Sequence, residues 1–227
     1  VLLGETLGVA SVEGFLDARA RAEILAEMQL HLATLPERTG SVHSVPGLAL
    51  DDVLAAYEPA GRTEVTELPE AVVATLDAAA DRAMPALRRT YGSAVSAGEW
   101  IYLEYGAGQY ITPHIDYAVD DGAPDGTPDP PHVAGIGVPL NDDYNGGEFF
   151  VETSASAELW QDDARDRIVR GADGTSSWFA AIPRTRWTCR PAAGTAITYG
   201  SQLTHGTLPV QSGRIRKIIG FLSAAGA

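Results

Sequence analysis

From residue 98 onward, apolar, aromatic and β-branched residues recur in short stretches bounded by Gly, Pro, Asn or Asp: "EWIYLEYG", "HVAGIGVPL", "GGEFFVE", "RWTCR", "GTAITYG" and "RIRKIIGFLS". Successive side chains of a strand leave opposite faces, so segments this short, with a period near two, read as strands resting one face on a core. They follow one another without the helical crossovers that a parallel sheet needs, which predicts an all-β sandwich or barrel. In "HVAGIGVPL", Ala134, Ile136, Val138 and Leu140 fall on one face. After "NDDYN", Gly146 and Gly147 are expected to supply the positive φ of a turn. Two connections are long, "DDGAPDGTPDPP" and the stretch from 154 to about 182, as lids and binding loops often are.

The first 97 residues have a different texture. "VEGFLDARARAEILAEMQLHL" spaces Phe15, Leu16, Ile24, Leu25, Met28 and Leu32 as one face of a helix, with Asp17 as N-cap. A second helix is predicted in "LPEAVVATLDAAADRAMPALRRTY", with Pro69 in its first turn and a break or kink near Pro85. The expected organisation is a single domain over 1–227: helical support to about 97, a β core over about 98–223, and a long insertion near 154–182.

Composition narrows the partners. Thirty acids against 16 bases give a net charge of −14 with no basic cluster, which argues against nucleic acid. No apolar run approaches the roughly 20 residues of a membrane helix. A lone cysteine, Cys189, forms no internal disulfide, and a reducing cytoplasm is the expected setting. Lys217 is the only lysine among 16 bases, a bias that suggests a high-GC genome.

The chemistry is concentrated in "GQYITPHIDY". If this run is a strand, His114 and Asp116 leave the same face and converge on one point, as two ligands of one metal would. His205 in "SQLTHGTLPVQSGR" follows a β segment and supplies a third ligand. Two histidines and a carboxylate on one side of a metal form the facial triad of non-haem Fe(II) oxygenases, which leaves positions for a keto acid and dioxygen. His31 and His43 have no such neighbours and are read as background, and His132, at the start of a strand, as a structural histidine.

On these motifs the chain resembles the Fe(II)/2-oxoglutarate-dependent dioxygenases, in their prolyl-4-hydroxylase-like branch. "YGAGQYITPHIDY" is similar to the branch's Tyr-Gly-x-Gly-x-Tyr-x-x-His-x-Asp segment, and "VPLNDDYNGGEFF" to its Tyr-Leu-Asn and Gly-Gly-Glu. "RPAAGTAITYGSQLTHGTLPVQSGR" is similar to its Pro-x-x-Gly-x-Ala, His-Gly-x-x-Pro-Val and Gly-x-Arg succession. The resemblance implies a double-stranded β-helix, or jelly roll, with flanking helices. It also implies Fe(II) on His114, Asp116 and His205, with 2-oxoglutarate as cosubstrate and dioxygen as oxidant. Tyr105 and Tyr102 are expected to hydrogen-bond 2-oxoglutarate.

The cosubstrate's distal carboxylate needs a cation, because an unpaired carboxylate is costly to bury. In the family that cation follows the second histidine by about ten residues. Here Arg214 lies nine on (214 − 205) and Arg216 eleven (216 − 205), and Arg216, which opens "KIIGF", is preferred. Pro139 stands where the branch often has tyrosine. Related halogenases replace the triad acid with a small residue, so Asp116 favours hydroxylation over chlorination.

The activity implied is oxidation, most simply hydroxylation, of an unactivated C–H bond in a small metabolite or amino-acid-derived substrate. Prolyl or peptidyl hydroxylation and a non-catalytic cupin-like metal-binding module are the alternatives. Substrate contacts are expected from Tyr117, Asp120 and Asp121 after the triad, and from Trp160, Trp178, Arg184 and Arg186 in and after the insertion.

Overall fold

The computed structural model describes residues 1–35, 49–116, 132–154 and 184–225. Its helices are α1 (Leu3–Thr6), α2 (Ala18–Leu32), α3 (Leu50–Tyr57) and α4 (Glu70–Leu87). The strands are β1 (Val9–Val12), β2 (Thr63–Val65), β3 (Ala94–Tyr105), β4 (Ile111–His114), β5 (His132–Pro139) and β6 (Tyr144–Gly146), then β7 (Phe149–Ser154), β8 (Arg184–Cys189), β9 (Ala196–Gly200), β10 (Thr204–Thr207), β11 (Val210–Gly213) and β12 (Ile215–Ala224).

A major sheet has the order β1-β9-β5-β12-β3-β2 and a minor sheet the order β4-β10-β7-β8, with β11 and β6 as a separate pair. Every described pairing is antiparallel. The chain passes back and forth between the two sheets: β3 is major, β4 minor, β5 major, β7 and β8 minor, β9 major, β10 minor and β12 major. That winding is the jelly roll implied by the resemblance, and it fits the all-β sandwich or barrel expected from the strand pattern.

The major sheet uses both faces. Trp100 and Tyr102 of β3, Ala134, Ile136 and Val138 of β5, and Ile218 and Leu222 of β12 pack in one cluster with Ile24 and Met28 of α2 and Val72, Leu76 and Leu87 of α4. Each large apolar side chain buried there contributes about 1.5–3 kcal/mol. The alternate residues Ile101, Leu103 and Tyr105 of β3 and Ile215 and Phe221 of β12 form a second cluster between the sheets. Sheet parity therefore separates a scaffold face from a cavity face.

Local signals behave as their chemistry requires. Asp17 caps α2, its Oδ1 accepting the Ala20 N–H at 2.8 Å. Gly146 and Gly147 take φ of 71° and 69°. The expected break at Pro85 does not occur, and α4 runs through it to Leu87. Proline removes the N–H that would bond the Asp81 carbonyl, but both residues are exposed, so water can take that carbonyl. The first 97 residues are also more than helical support, since β1 pairs with β9 and β2 with β3.

Candidate active site

β4 lies at the edge of the minor sheet, which lets Pro113 sit inside it without breaking a ladder bond of a central strand. In the antiparallel pairing of β4 with β10, His114 and His205 stand directly opposite one another. Their rings approach to 4.4 Å between centroids. Asp116 follows β4, and its Oδ1 lies 3.6 Å from His114 Nε2 and 3.4 Å from His205 Nε2. One donor atom from each of the three falls within 4.8 Å of the others.

The imidazoles are held for ligation. His114 Nδ1 lies 2.8 Å from the Thr112 carbonyl and His205 Nδ1 2.8 Å from the Leu203 carbonyl. A carbonyl only accepts, so each Nδ1 carries the proton and each Nε2 presents a lone pair to the site. Burial, followed by the neighbouring His205, pushes the His114 pKa down to about 3, which keeps it neutral. Room for the carboxylate is cut into β5, because a Cβ on Gly135 would stand 2.7 Å from Asp116 Oδ2 and 2.5 Å from the Tyr199 ring. Tyr57 of α3 meets the His114 ring edge-on at 5.8 Å, and Tyr199 of β9 lies 4.1 Å from the His205 ring. This donor set fits an octahedral divalent iron bound on one face.

From the triad a cavity extends between the sheets, walled by Leu103, Ile111, Pro139, Ile219 and, at its charged end, Tyr105, Thr207, Lys217 and Arg62. Lys217 is on the cavity face of β12, between Ile215 and Ile219. Its Nζ donates to Thr207 Oγ1 at 3.1 Å and lies 5.0 Å from the Tyr105 ring centroid. Burial, and then the charge of Arg62, pushes the ammonium down to about 7.

Arg62 approaches from the N-terminal region. Its guanidinium donates to Glu64 Oε2 from Nε at 3.0 Å and from Nη2 at 2.7 Å, lies 3.1 Å from Glu58 Oε1, and donates through Nη1 to the Tyr105 hydroxyl. The Arg62, Glu58 and Glu64 side chains are all at most 1% exposed. Removing one member of such a buried set costs on the order of 3–5 kcal/mol.

The triad and Tyr105 thus meet at one cavity, whereas several other expected residues do not reach it. Arg214 Nη1 pairs with Glu104 Oε2 at 2.7 Å and Arg216 Nε lies 3.4 Å from Glu104 Oε1, with side chains 48% and 36% exposed. Arg216 lies on the face of β12 opposite Lys217, and Arg214 immediately precedes the strand. Lys217, twelve residues after His205 (217 − 205), stands on the cavity wall, as do Arg62 and Arg190. Tyr102 likewise is not on the cavity wall: it packs on the helix side, and its hydroxyl donates to Glu104 Oε1 at 2.6 Å.

Arg186 stands opposite Glu152, pairs with it, and lies 4.2 Å from the Phe150 ring centroid, facing away from the cavity. Arg184 opens β8. Tyr117, Asp120, Asp121, Trp160 and Trp178 lie outside the described residues. His132 is no part of the triad; its Nε2 is 3.0 Å from Glu99 Oε1 and its ring stacks on Phe221.

Reasoning from sequence missed Lys217 and Arg62. The signal for Lys217 was available: the lone lysine shares one strand face with Ile215 and Ile219. Arg62 had none, because its neighbour Tyr105 is reached only through the pairing of β2 with β3.

Neither a family model nor a curated protein matches the chain. Solved structures do. A prolyl-4-hydroxylase from Pseudomonas putida superposes with a TM-score of 0.57 at 15% identity, over 97% of this chain and 95% of that one. A 2OG-Fe(II) oxygenase family protein from Burkholderia pseudomallei gives 0.56 at 16%, over 97% and 86%. This is the fold of the 2-oxoglutarate–Fe(II) oxygenases. The non-haem α-ketoglutarate-dependent epimerase SnoN from nogalamycin biosynthesis shares it too, at 0.54 and 20% identity over 96% and 77%. Within that fold, the His114, Asp116 and His205 cluster is a donor set that could hold a metal ion. No helix of the described residues is long and apolar enough to cross a membrane.

Proposed function

We propose that the protein is an Fe(II)- and 2-oxoglutarate-dependent oxygenase that hydroxylates an unactivated C–H bond of a small metabolite or amino-acid-derived substrate. The observation that carries this reading is the convergence of two imidazoles and one carboxylate within 4.8 Å in a cavity whose wall also carries the cationic side chains of Lys217 and Arg62. His114, Asp116 and His205 would hold the iron. When bound, the iron supplies the redox chemistry that couples decarboxylation of 2-oxoglutarate, to succinate and carbon dioxide, with oxidation of the substrate.

The chain's own residues bind and orient. Lys217 pairs with the distal carboxylate of 2-oxoglutarate, with the Thr207 hydroxyl beside it and the Tyr105 hydroxyl as a further donor. Leu103, Ile111 and Ile219 exclude water around the carbon chain, which strengthens the pairing at Lys217. Tyr57 and Tyr199 flank the two imidazoles and keep the rings in place.

The test is an aerobic incubation with Fe(II), 2-oxoglutarate and a panel of free amino acids, small metabolites and prolyl peptides. The expected result is iron-dependent succinate release, raised by at least one panel member that gains the mass of one oxygen atom. Stimulation by peptides alone would move the substrate class to prolyl or peptidyl residues. Succinate no higher than in the metal-free control across the panel would contradict the proposal.

A further inference from the structure

The buried trio of Arg62, Glu58 and Glu64 reaches the cavity at Arg62, whose Nη1 donates to the hydroxyl of Tyr105, a neighbouring lining residue. A guanidinium has donors and no acceptor, so at this contact the oxygen of Tyr105 must accept from Arg62 Nη1. The phenol proton is then the only hydrogen-bonding element that Tyr105 can turn elsewhere. Among the described residues no acceptor takes it, and the Tyr105 side chain lines the cavity beside Lys217. Burial raises the Tyr105 pKa against the opposing pull of Arg62, so the phenol keeps that proton.

Arg62 cannot swing away to serve another ligand. Nε and Nη2 are held by Glu64, and Nη2 also by Glu58, in contacts of 2.7 to 3.1 Å. With two carboxylates against one guanidinium, the trio carries a formal charge of −1 (1 − 2) and adds no net positive charge to the cavity. The hydroxyl of Tyr105, held by Arg62 Nη1, is the route from the trio to a bound anion that the hydrogen bonds lay out.

We infer that Arg62 is a positioning residue: clamped by Glu58 and Glu64, it locks the Tyr105 hydroxyl as a one-way donor aimed at the carboxylate of 2-oxoglutarate. The inference rests on the proposed function, in which that dicarboxylate is the cosubstrate. It gives the N-terminal segment between α3 and β3 a part in the site and makes Arg62 act only through Tyr105.

The experiment is a double-mutant cycle read by calorimetric titration of 2-oxoglutarate into the protein loaded with Mn(II), which needs no turnover. Arg62→Gln in the native background should weaken 2-oxoglutarate about tenfold, and Tyr105→Phe should do about the same. Added to Tyr105→Phe, Arg62→Gln should cost less than about twofold more, with Mn(II) affinity unchanged in all variants. Because Arg62→Gln strips the counter-charge from two buried glutamates, the cycle is repeated with Arg62→Gln/Glu64→Gln, which keeps the trio at −1 and should give the same pattern. Equal, additive losses in both backgrounds would overturn the inference and leave the proposed function standing. Absence of 2-oxoglutarate binding to the unaltered, Mn(II)-loaded protein would overturn both.

Discussion

The two ends of the cavity are built in different ways. At the triad end, two imidazoles and one carboxylate come from adjacent segments at the edge of the minor sheet, and backbone carbonyls hold the Nδ1 of each ring. At the other end, charged groups come from β12 of the major sheet and from the N-terminal segment, and they are held by one another: Lys217 by Thr207, Arg62 by Glu58 and Glu64. A metal site needs lone pairs at fixed positions, which strand register supplies. A carboxylate site in a withdrawn pocket needs charge, and charge must be balanced by partners from wherever the fold can bring them.

If that contrast is right, the largest effect comes from the triad. Asp116→Ala should reduce Mn(II) or Fe(II) affinity on the order of a hundredfold or more, beyond the roughly 10–100-fold typical of residues that only orient ligands, while the thermal midpoint of the metal-free protein shifts little. Gly135→Ala should fall within that 10–100-fold range, because its Cβ would occupy space used by Asp116 Oδ2. Mn(II) binding by Gly135→Ala equal to that of the unaltered protein would show that the carboxylate is not confined by β5.

Lys217→Met should leave metal affinity intact and weaken 2-oxoglutarate by about 30-fold or more, the order expected when one partner of a desolvated charge pair is lost. By contrast, Arg216→Ala and Arg214→Ala should change 2-oxoglutarate affinity less than about threefold, as solvent-facing partners of Glu104 do. A larger loss for Arg216 than for Lys217 would reverse the assignment of the charged end.

The smallest effect is a pH dependence that belongs to the charged end alone. The Lys217 ammonium of the empty protein is pushed down to about 7, so the charged form prevails below that pH and the neutral amine above it. Only the ammonium pairs with a carboxylate, so 2-oxoglutarate affinity should be flat below about pH 7 and fall up to about tenfold per unit above it. Titrations between pH 6 and 9 check this, and Lys217→Arg, charged throughout, should flatten the profile.

The same contrast explains what could be read from the chain alone. His114 and Asp116 were legible because their spacing and the strand period act locally, and the pairing of β4 with β10 then set His205 opposite His114. A sandwich or barrel was legible in the succession of short strands, and the jelly roll in the motifs that carry the resemblance. Counting from His205 leads to Arg214 and Arg216, which pair with Glu104 away from the cavity wall, because distance along a strand says nothing about its face. The spacing by two of Ile215, Lys217 and Ile219, all on the cavity wall, carries that information. Pro85 was read as a breaker because the cost of the lost hydrogen bond was taken without its exposure. Arg62 reaches Tyr105 only through a pairing 41 residues apart, Thr63 with Glu104 (104 − 63), and no local pattern announces it.

The most direct test of the central claim is anaerobic titration of the metal-free protein with Fe(II), followed by 2-oxoglutarate. The account predicts one Fe(II) per chain, one 2-oxoglutarate bound tightly only when the metal is present, and loss of both in Asp116→Ala. Undiminished Fe(II) binding in Asp116→Ala, or 2-oxoglutarate binding indifferent to the metal, would contradict it.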